Sequence, residues 1–279
     1  MSINNHEPRI YEDELIDDFR REMAVKRKHD KADKAPKSTE TVKIKFSLKD
    51  LYPVKAQTEN QKRFFTSYKQ NQERNFFLHG SAGTGKTFIS MALGLRDVLD
   101  PSTPYEKLMV VRSAVQSGVE LGFMPGSLEE KVAQFEQPYN EICSELFVKG
   151  FNYQNAKDAG VIKFAPTSFL RGTTIRDTVI VVDEVQNMNF GELDTIITRI
   201  GSNSRIIFCG DIKQNDLLNK RNNHSGFYPF INIMEMMEDR FETIEFTHDD
   251  IVRSGLVKDY IISKEKWFEN EESLSDNQK

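Results

Sequence analysis

Apolar residues are unevenly spread along this chain. Short runs at 75–78, 107–111, 161–164, 179–182, 205–209 and 243–246 are rich in Val, Ile, Leu and Phe. Runs of this length predict strands, and the stretches at 57–70, 86–99, 190–200 and 230–237, with apolar positions at helical spacing, predict helices. Most strand runs are apolar at consecutive positions rather than at every second one, so both faces of their sheet must be covered. The fold class that follows is α/β, a mostly parallel sheet with helices on both faces.

The two ends break the pattern. Leu15, Ile16, Phe19 and Met23 fall at helical spacing, with acids before them (Glu12, Asp13, Glu14) and bases after (Lys26, Arg27, Lys28). That order complements a helix dipole and predicts a charged helix over about 11–29, followed by a linker through 38. Two readings stay open for this extension, a solvated segment and a docking arm for a partner or a neighbouring subunit. Residues 267–279 read as a polar, mobile tail. The division expected is therefore 1–43 extension, 44–266 core and 267–279 tail.

Composition removes several function classes. Lys and Arg total 38 against 43 Asp and Glu, a formal net charge of −5, so this is no basic coat for nucleic acid. The longest purely aliphatic run, Val179-Ile180-Val181-Val182, is far short of the roughly 20 residues that span a bilayer. The opening MSINNHEPRIYEDE has no secretory signal pattern. Cys143 and Cys209 read as reduced packing residues, and the five His show no paired ligand spacing for zinc. A cytoplasmic protein without membrane contact is expected.

The chemistry concentrates at three strand ends. Gly80-Ser81-Ala82-Gly83-Thr84-Gly85-Lys86-Thr87 follows the run NFFL and opens a helix, the setting of a P-loop. Glycines let the loop turn tightly and bring backbone N–H groups against phosphate oxygens, and the helix adds its positive dipole end. Lys86 is expected to reach the β- and γ-phosphates and Thr87 to hold Mg²⁺. Asp183-Glu184 ends the run 179–182, where Asp183 suits holding Mg²⁺ through water and Glu184 a general base for the attacking water. Gln214, in Gly210-Asp211-Ile212-Lys213-Gln214 after another strand, can sense the γ-phosphate, and the amide of Gln61 can read an adenine edge. A carboxylate directly after the metal-holding Asp favours hydrolysis over a small-molecule kinase.

Taken together these segments resemble the PhoH family of P-loop ATPases, relatives of the superfamily 1 helicases with a single RecA-like core. The resemblance runs from about Thr58 to about Tyr260. It rests on Thr58-Glu59-Asn60-Gln61, GSAGTGKT, the stretch VRSAVQSGVELGFMPGSLEEKV, Phe169-Leu170-Arg171-Gly172, VVDEVQN, GDIKQNDL, Ser225-Gly226 and Asp250-Ile251-Val252-Arg253-Ser254. The chain departs from the family pattern at Ser81 and Ser113, where Pro is usual, at Val185 for Ala, and at Ser254 for His.

The resemblance implies ATP binding and Mg²⁺-dependent hydrolysis, with a coupled action on RNA or single-stranded DNA. It also implies a homo-oligomer, such as a hexameric ring, because one core alone leaves the nucleotide cleft half built. The rival reading is an ATP-dependent switch that regulates a partner such as a nuclease. Arg253 is the first candidate for charge stabilisation at the γ-phosphate, in cis or across a subunit contact, with Arg112 and Arg171 behind it. For those two, surface salt bridges are an equal reading. Phe123 and Met124 can form an apolar bed for stacked bases or pack on the core. Lys213, Lys220, Arg221 and His224 can meet a phosphate backbone or form a solvated face.

Overall fold

The computed structural model describes residues 44–113, 115–116, 119–120, 128–211 and 227–276. The helix expected over 11–29 and its linker lie outside these residues. Six strands, β1 (Asn75–Gly80), β2 (Lys107–Arg112), β5 (Ile162–Pro166), β6 (Thr178–Asp183), β7 (Ser204–Cys209) and β8 (Phe241–Phe246), form one sheet. Its order is β5-β2-β6-β7-β1-β8, and every pairing is parallel. The two-residue strands β3 (Val115–Gln116) and β4 (Val119–Glu120) make a separate antiparallel pair. This is the parallel P-loop architecture expected.

Side chains along a strand point alternately to opposite faces, and here each face meets its own apolar layer. Phe76 and Leu78 of β1, Leu108 and Val110 of β2, and Val179 and Val181 of β6 enter one core cluster. Their neighbours Phe77, Met109, Val111, Ile180 and Val182 enter the other. The first face is covered by helices α1 (Glu59–Gln70), α2 (Lys86–Leu99), α3 (Leu128–Leu146) and α4 (Tyr153–Asp158). The second is covered by α5 (Phe190–Ile197) and α6 (Phe227–Glu235). Two-sided burial explains why the strand runs are apolar without alternation.

Local chemistry fixes the helices that matter for the site. Thr58 caps α1 by accepting from the Gln61 N–H, and Gln61, Phe64 and Tyr68 form its buried stripe. α2 is buried on most sides, and Gly94 lets it lie close against the sheet. A Cβ there would stand 2.7 Å from Leu108 Cδ1 and 3.1 Å from Val179 Cγ1. At the amino end of the sheet Arg205, 1% exposed, ties three elements together. It donates to the carbonyls of Arg74 (3.1 Å), Tyr68 (3.0 Å) and Asn71, and its guanidinium lies 3.9 Å from the Tyr68 ring centre. It also reaches Asp97 of α2 at 3.5 Å.

Boundaries differ from expectation in physical ways. β8 begins at Phe241, two residues before the run at 243, because its backbone continues to pair with β1. α5 stops at Ile197 where the chain turns through Thr198, and α6 spans Phe227–Glu235 rather than 230–237. Neither α3 nor α4 was expected. Residues 267–276 of the expected tail belong to α7 (Gly255–Asp276), so the boundary at 266 falls inside a helix, and 277–279 lie outside the described residues. Among the described residues no helix is long and apolar enough to cross a membrane.

Candidate nucleotide site

β1, β7 and β6 are neighbours, so the segments that follow them meet at one edge of the sheet. The loop after β1 can exist only with glycine at its first position. Gly80 has φ +115°, and a Cβ on it would sit 2.0 Å from the Phe246 carbonyl oxygen at the end of β8. Gly85, also at positive φ, caps α2 and hands the chain to Lys86. Below the loop lies a cavity of 530 Å³ lined by residues 82–89, Asp183, Glu184, Gly210, Asp211 and Arg253.

Lys86 is buried and curls back onto its own loop. Its Nζ donates to the carbonyls of Gly80 (3.1 Å) and Ser81 (2.8 Å) and to Thr84 Oγ1 (3.1 Å). Burial pulls its amine below the ordinary lysine range, with Asp211, Glu184 and Asp183 pulling the other way. Thr87 Oγ1 donates to Asp183 Oδ1 at 2.6 Å, so a hydroxyl from the start of α2 and a carboxylate from the end of β6 already share one spot. Hard oxygen donors of this kind fit Mg²⁺, which takes one or two protein oxygens and fills its remaining positions with water and phosphate. Among the described residues no group of three or more His, Cys, Asp or Glu offers a different metal site.

The other carboxylate oxygen of Asp183 is held by a residue the sequence reading missed. Tyr139 of α3 donates its hydroxyl to Asp183 Oδ2 at 2.9 Å. Burial pushes that phenol well above the ordinary tyrosine range, which keeps it a donor. Glu184 sits in the left-handed region at φ +54°, a conformation costly for a residue with a Cβ and one that turns it away from the strand path. Burial and Asp183 raise its carboxyl above the ordinary range, while Arg112 opposes them. Gln186, also missed, bridges two strand ends. Its amide donates to Glu184 Oε2 (2.6 Å) and its oxygen accepts from the Asp211 N–H (3.0 Å).

The remaining candidates separate. Gln61 lines the cavity but is engaged with the loop, donating to the Thr84 carbonyl at 3.0 Å and accepting from the Gln57 N–H at 2.8 Å. Arg253 lies against the loop of its own chain: the Val252 N–H donates to the Gly83 carbonyl at 3.0 Å, and a Cβ on Gly83 would come 2.9 Å from Arg253 Cγ. Arg112 ends β2 in register with Asp183 and acts on Glu184 through space. Arg171 is exposed and is absent from the cavity lining. Both cysteines are buried; the Cys209 thiol, 3.4 Å from Ser90 Oγ, is pushed up to about 12 by burial. Gln214, Lys213, Lys220, Arg221, His224, Phe123 and Met124 lie outside the described residues.

A strand, a glycine loop and a helix whose second residue bonds a carboxylate at a nearby strand end define a P-loop nucleotide-binding fold. Residues 53–263 match the family described as PhoH-like protein, and the chain belongs to that family. It is 33% identical over 213 residues to a PhoH-like protein of Mycobacterium tuberculosis (strain ATCC 25618 / H37Rv), covering 75% of this chain and 57% of that one. It is 30% identical over 209 residues to Protein PhoH of Escherichia coli (strain K12), with coverage of 75% and 57%. This chain thus spans a little over half the length of these relatives. In shape it is similar to the large terminase of a thermophilic bacteriophage (TM-score 0.42, 13% identity, 73% of this chain and 49% of that one). It is also similar to Pif1 of Bacteroides sp in complex with ADP-AlF4 (TM-score 0.32, 17% identity, 71% and 43%).

Proposed function

We propose that this chain binds ATP with Mg²⁺ in the cavity at the ends of β1, β7 and β6, hydrolyses it, and acts with RNA or single-stranded DNA as a homo-oligomer. The observation that carries the reading is the 2.6 Å bond from Thr87 to Asp183 in a cavity that also holds Lys86 and Glu184. Lys86 exchanges the Gly80 and Ser81 carbonyls for β- and γ-phosphate oxygens, while loop N–H groups and the start of α2 hold the rest of the triphosphate. Thr87 and Asp183, its carboxylate fixed by Tyr139, would hold Mg²⁺, which would supply positive charge to the phosphates. Glu184, its basicity raised by burial, takes the proton of the attacking water. Arg253 supplies positive charge in cis, supported by its place against Gly83 of the same chain. Gln214 is the proposed γ-phosphate sensor, and Gln61 steadies the loop on the adenine side.

The nucleic-acid part of the proposal rests on family membership, and phosphate release with and without single-stranded RNA or DNA tests it. Stimulation of turnover severalfold is expected. Indifference to both polymers favours a switch acting on a partner such as a nuclease. Glu184→Gln is expected to lower turnover by ~10²–10⁴ while retaining bound ATP. Near-normal turnover removes Glu184 from the base role. Light scattering with and without nucleotide measures the oligomer.

A further inference from the structure

α7 turns one face to the glycine loop. Ile261 and Glu265, one helical turn apart, are both buried. Ile261 Cδ1 lies 3.3 Å from where a Cβ on Gly83 would stand, and Glu265 Oε2 accepts from Ser81 Oγ at 3.3 Å. His248 Nε2 reaches the same carboxylate oxygen at 2.5 Å. Leu256, Tyr260 and Trp267 occupy the opposite side of the helix and are exposed.

Ser81 is the residue through which this face meets the site. Its N–H donates to the Phe246 carbonyl at 2.9 Å, its hydroxyl donates to Glu265, and its carbonyl accepts from Lys86 Nζ at 2.8 Å and Thr84 Oγ1 at 3.1 Å. When Lys86 turns to a phosphate, the Ser81 carbonyl loses its charged donor. The hydroxyl of the same residue is bonded to a carboxylate only 5% exposed, where water is a poor substitute. A shift of Ser81 is therefore felt at Glu265, and through it at His248 and along α7.

Resting on the nucleotide-binding reading above, we infer that Glu265 is a positioning residue for the glycine loop, and that the chain Ser81–Glu265–His248 transmits the loaded or empty state of the loop to α7. The link is polar at Ser81 and apolar at Ile261, so cutting the polar half weakens the transmission and leaves the helix packed.

The protein carries its own reporter. Trp267 is its single tryptophan, two residues beyond Glu265 on α7 and 56% exposed. Mg–ADP is titrated while Trp267 emission is followed, and calorimetry on the same samples measures binding independently. In the unaltered protein the emission is expected to change saturably, with the calorimetric midpoint. In Ser81→Ala and Glu265→Gln, at calorimetric saturation, the change is expected to fall to about half or less; Ser81→Thr, which keeps the hydroxyl, is expected to restore it. A full-sized change in both variants at saturation overturns the inference, as does a flat trace from the unaltered protein while calorimetry saturates. No calorimetric binding by the unaltered protein overturns the nucleotide reading itself. Ser81→Ala removes a single oxygen, so it decides the matter if Glu265→Gln fails to fold.

Discussion

Lys86, at the start of α2, and Arg205, in β7, are two buried cations at opposite ends of one sheet. Arg205 has its counter-charge built in: three backbone carbonyls, the Tyr68 ring and Asp97 surround it. Lys86 donates to neutral acceptors of its own loop, and burial lowers its affinity for its proton against the pull of Asp211, Glu184 and Asp183. The contrast separates a cation that completes the fold from one that waits for an anion. Burial and hydrogen-bond number are similar in kind; what differs is that Arg205 reaches a carboxylate at 3.5 Å, whereas Asp211, Glu184 and Asp183 act on Lys86 through space.

The strongest test of that contrast is at Arg205. Arg205→Met leaves three carbonyls and a carboxylate without their donor, and a loss of about 3–5 kcal/mol is expected in urea unfolding. Lys86→Met also leaves the Gly80 and Ser81 carbonyls and Thr84 Oγ1 without their donor, but it removes a desolvated amine, so its stability loss is expected to be smaller than that of Arg205→Met. Its cost appears in calorimetry as weaker nucleotide binding by about 1.5–3 kcal/mol, roughly 10- to 150-fold. Equal stability losses at the two positions would break the comparison.

Smaller effects sharpen it. Tyr139→Phe removes one donor from Asp183 and is expected to raise the Mg²⁺ concentration needed for nucleotide binding by about tenfold, with little change in metal-free binding. The smallest effect is a pH dependence. Glu184 has its folded-state carboxyl raised above the ordinary 4.5, mainly by burial and then by Asp183. Such a group binds its proton more tightly when folded, so its ionisation weakens folding as pH rises from 4.5 through the raised value. Glu184→Gln is therefore expected to melt higher than the unaltered protein at neutral pH, and the gap is expected to close on acidification to about pH 4.5.

The sheet was readable because its strands are buried on both faces, which leaves runs such as 179–182 no alternative to an apolar composition. That the glycine loop and Asp183-Glu184 lie at one sheet edge was readable because each directly follows an apolar strand run. α3 was not, although Phe135, Tyr139, Cys143 and Leu146 line its buried side; Pro138 inside it reads as a breaker, and the helix tolerates it. With α3 went Tyr139. Glu265 left no trace, because a buried glutamate in a sequence as polar as SKEKW looks like a solvated one until its partners 184 and 17 residues away are seen. Gln186 was hidden for the same reason: its two bonds join segments that only the fold brings together.

The placement of β1 has a consequence for how the molecule comes to life on the ribosome. Both of its sheet neighbours, β7 and β8, are encoded far downstream, and the Phe246 carbonyl that anchors Ser81 ends the last strand of the sheet. At about 5–20 residues per second, the segment bearing the glycines waits roughly 10 to 30 s between its own synthesis and that of the strand that seats it. The glycine loop, made early, is thus seated late, and a nascent chain stalled before Phe246 carries the motif without the strand that anchors it.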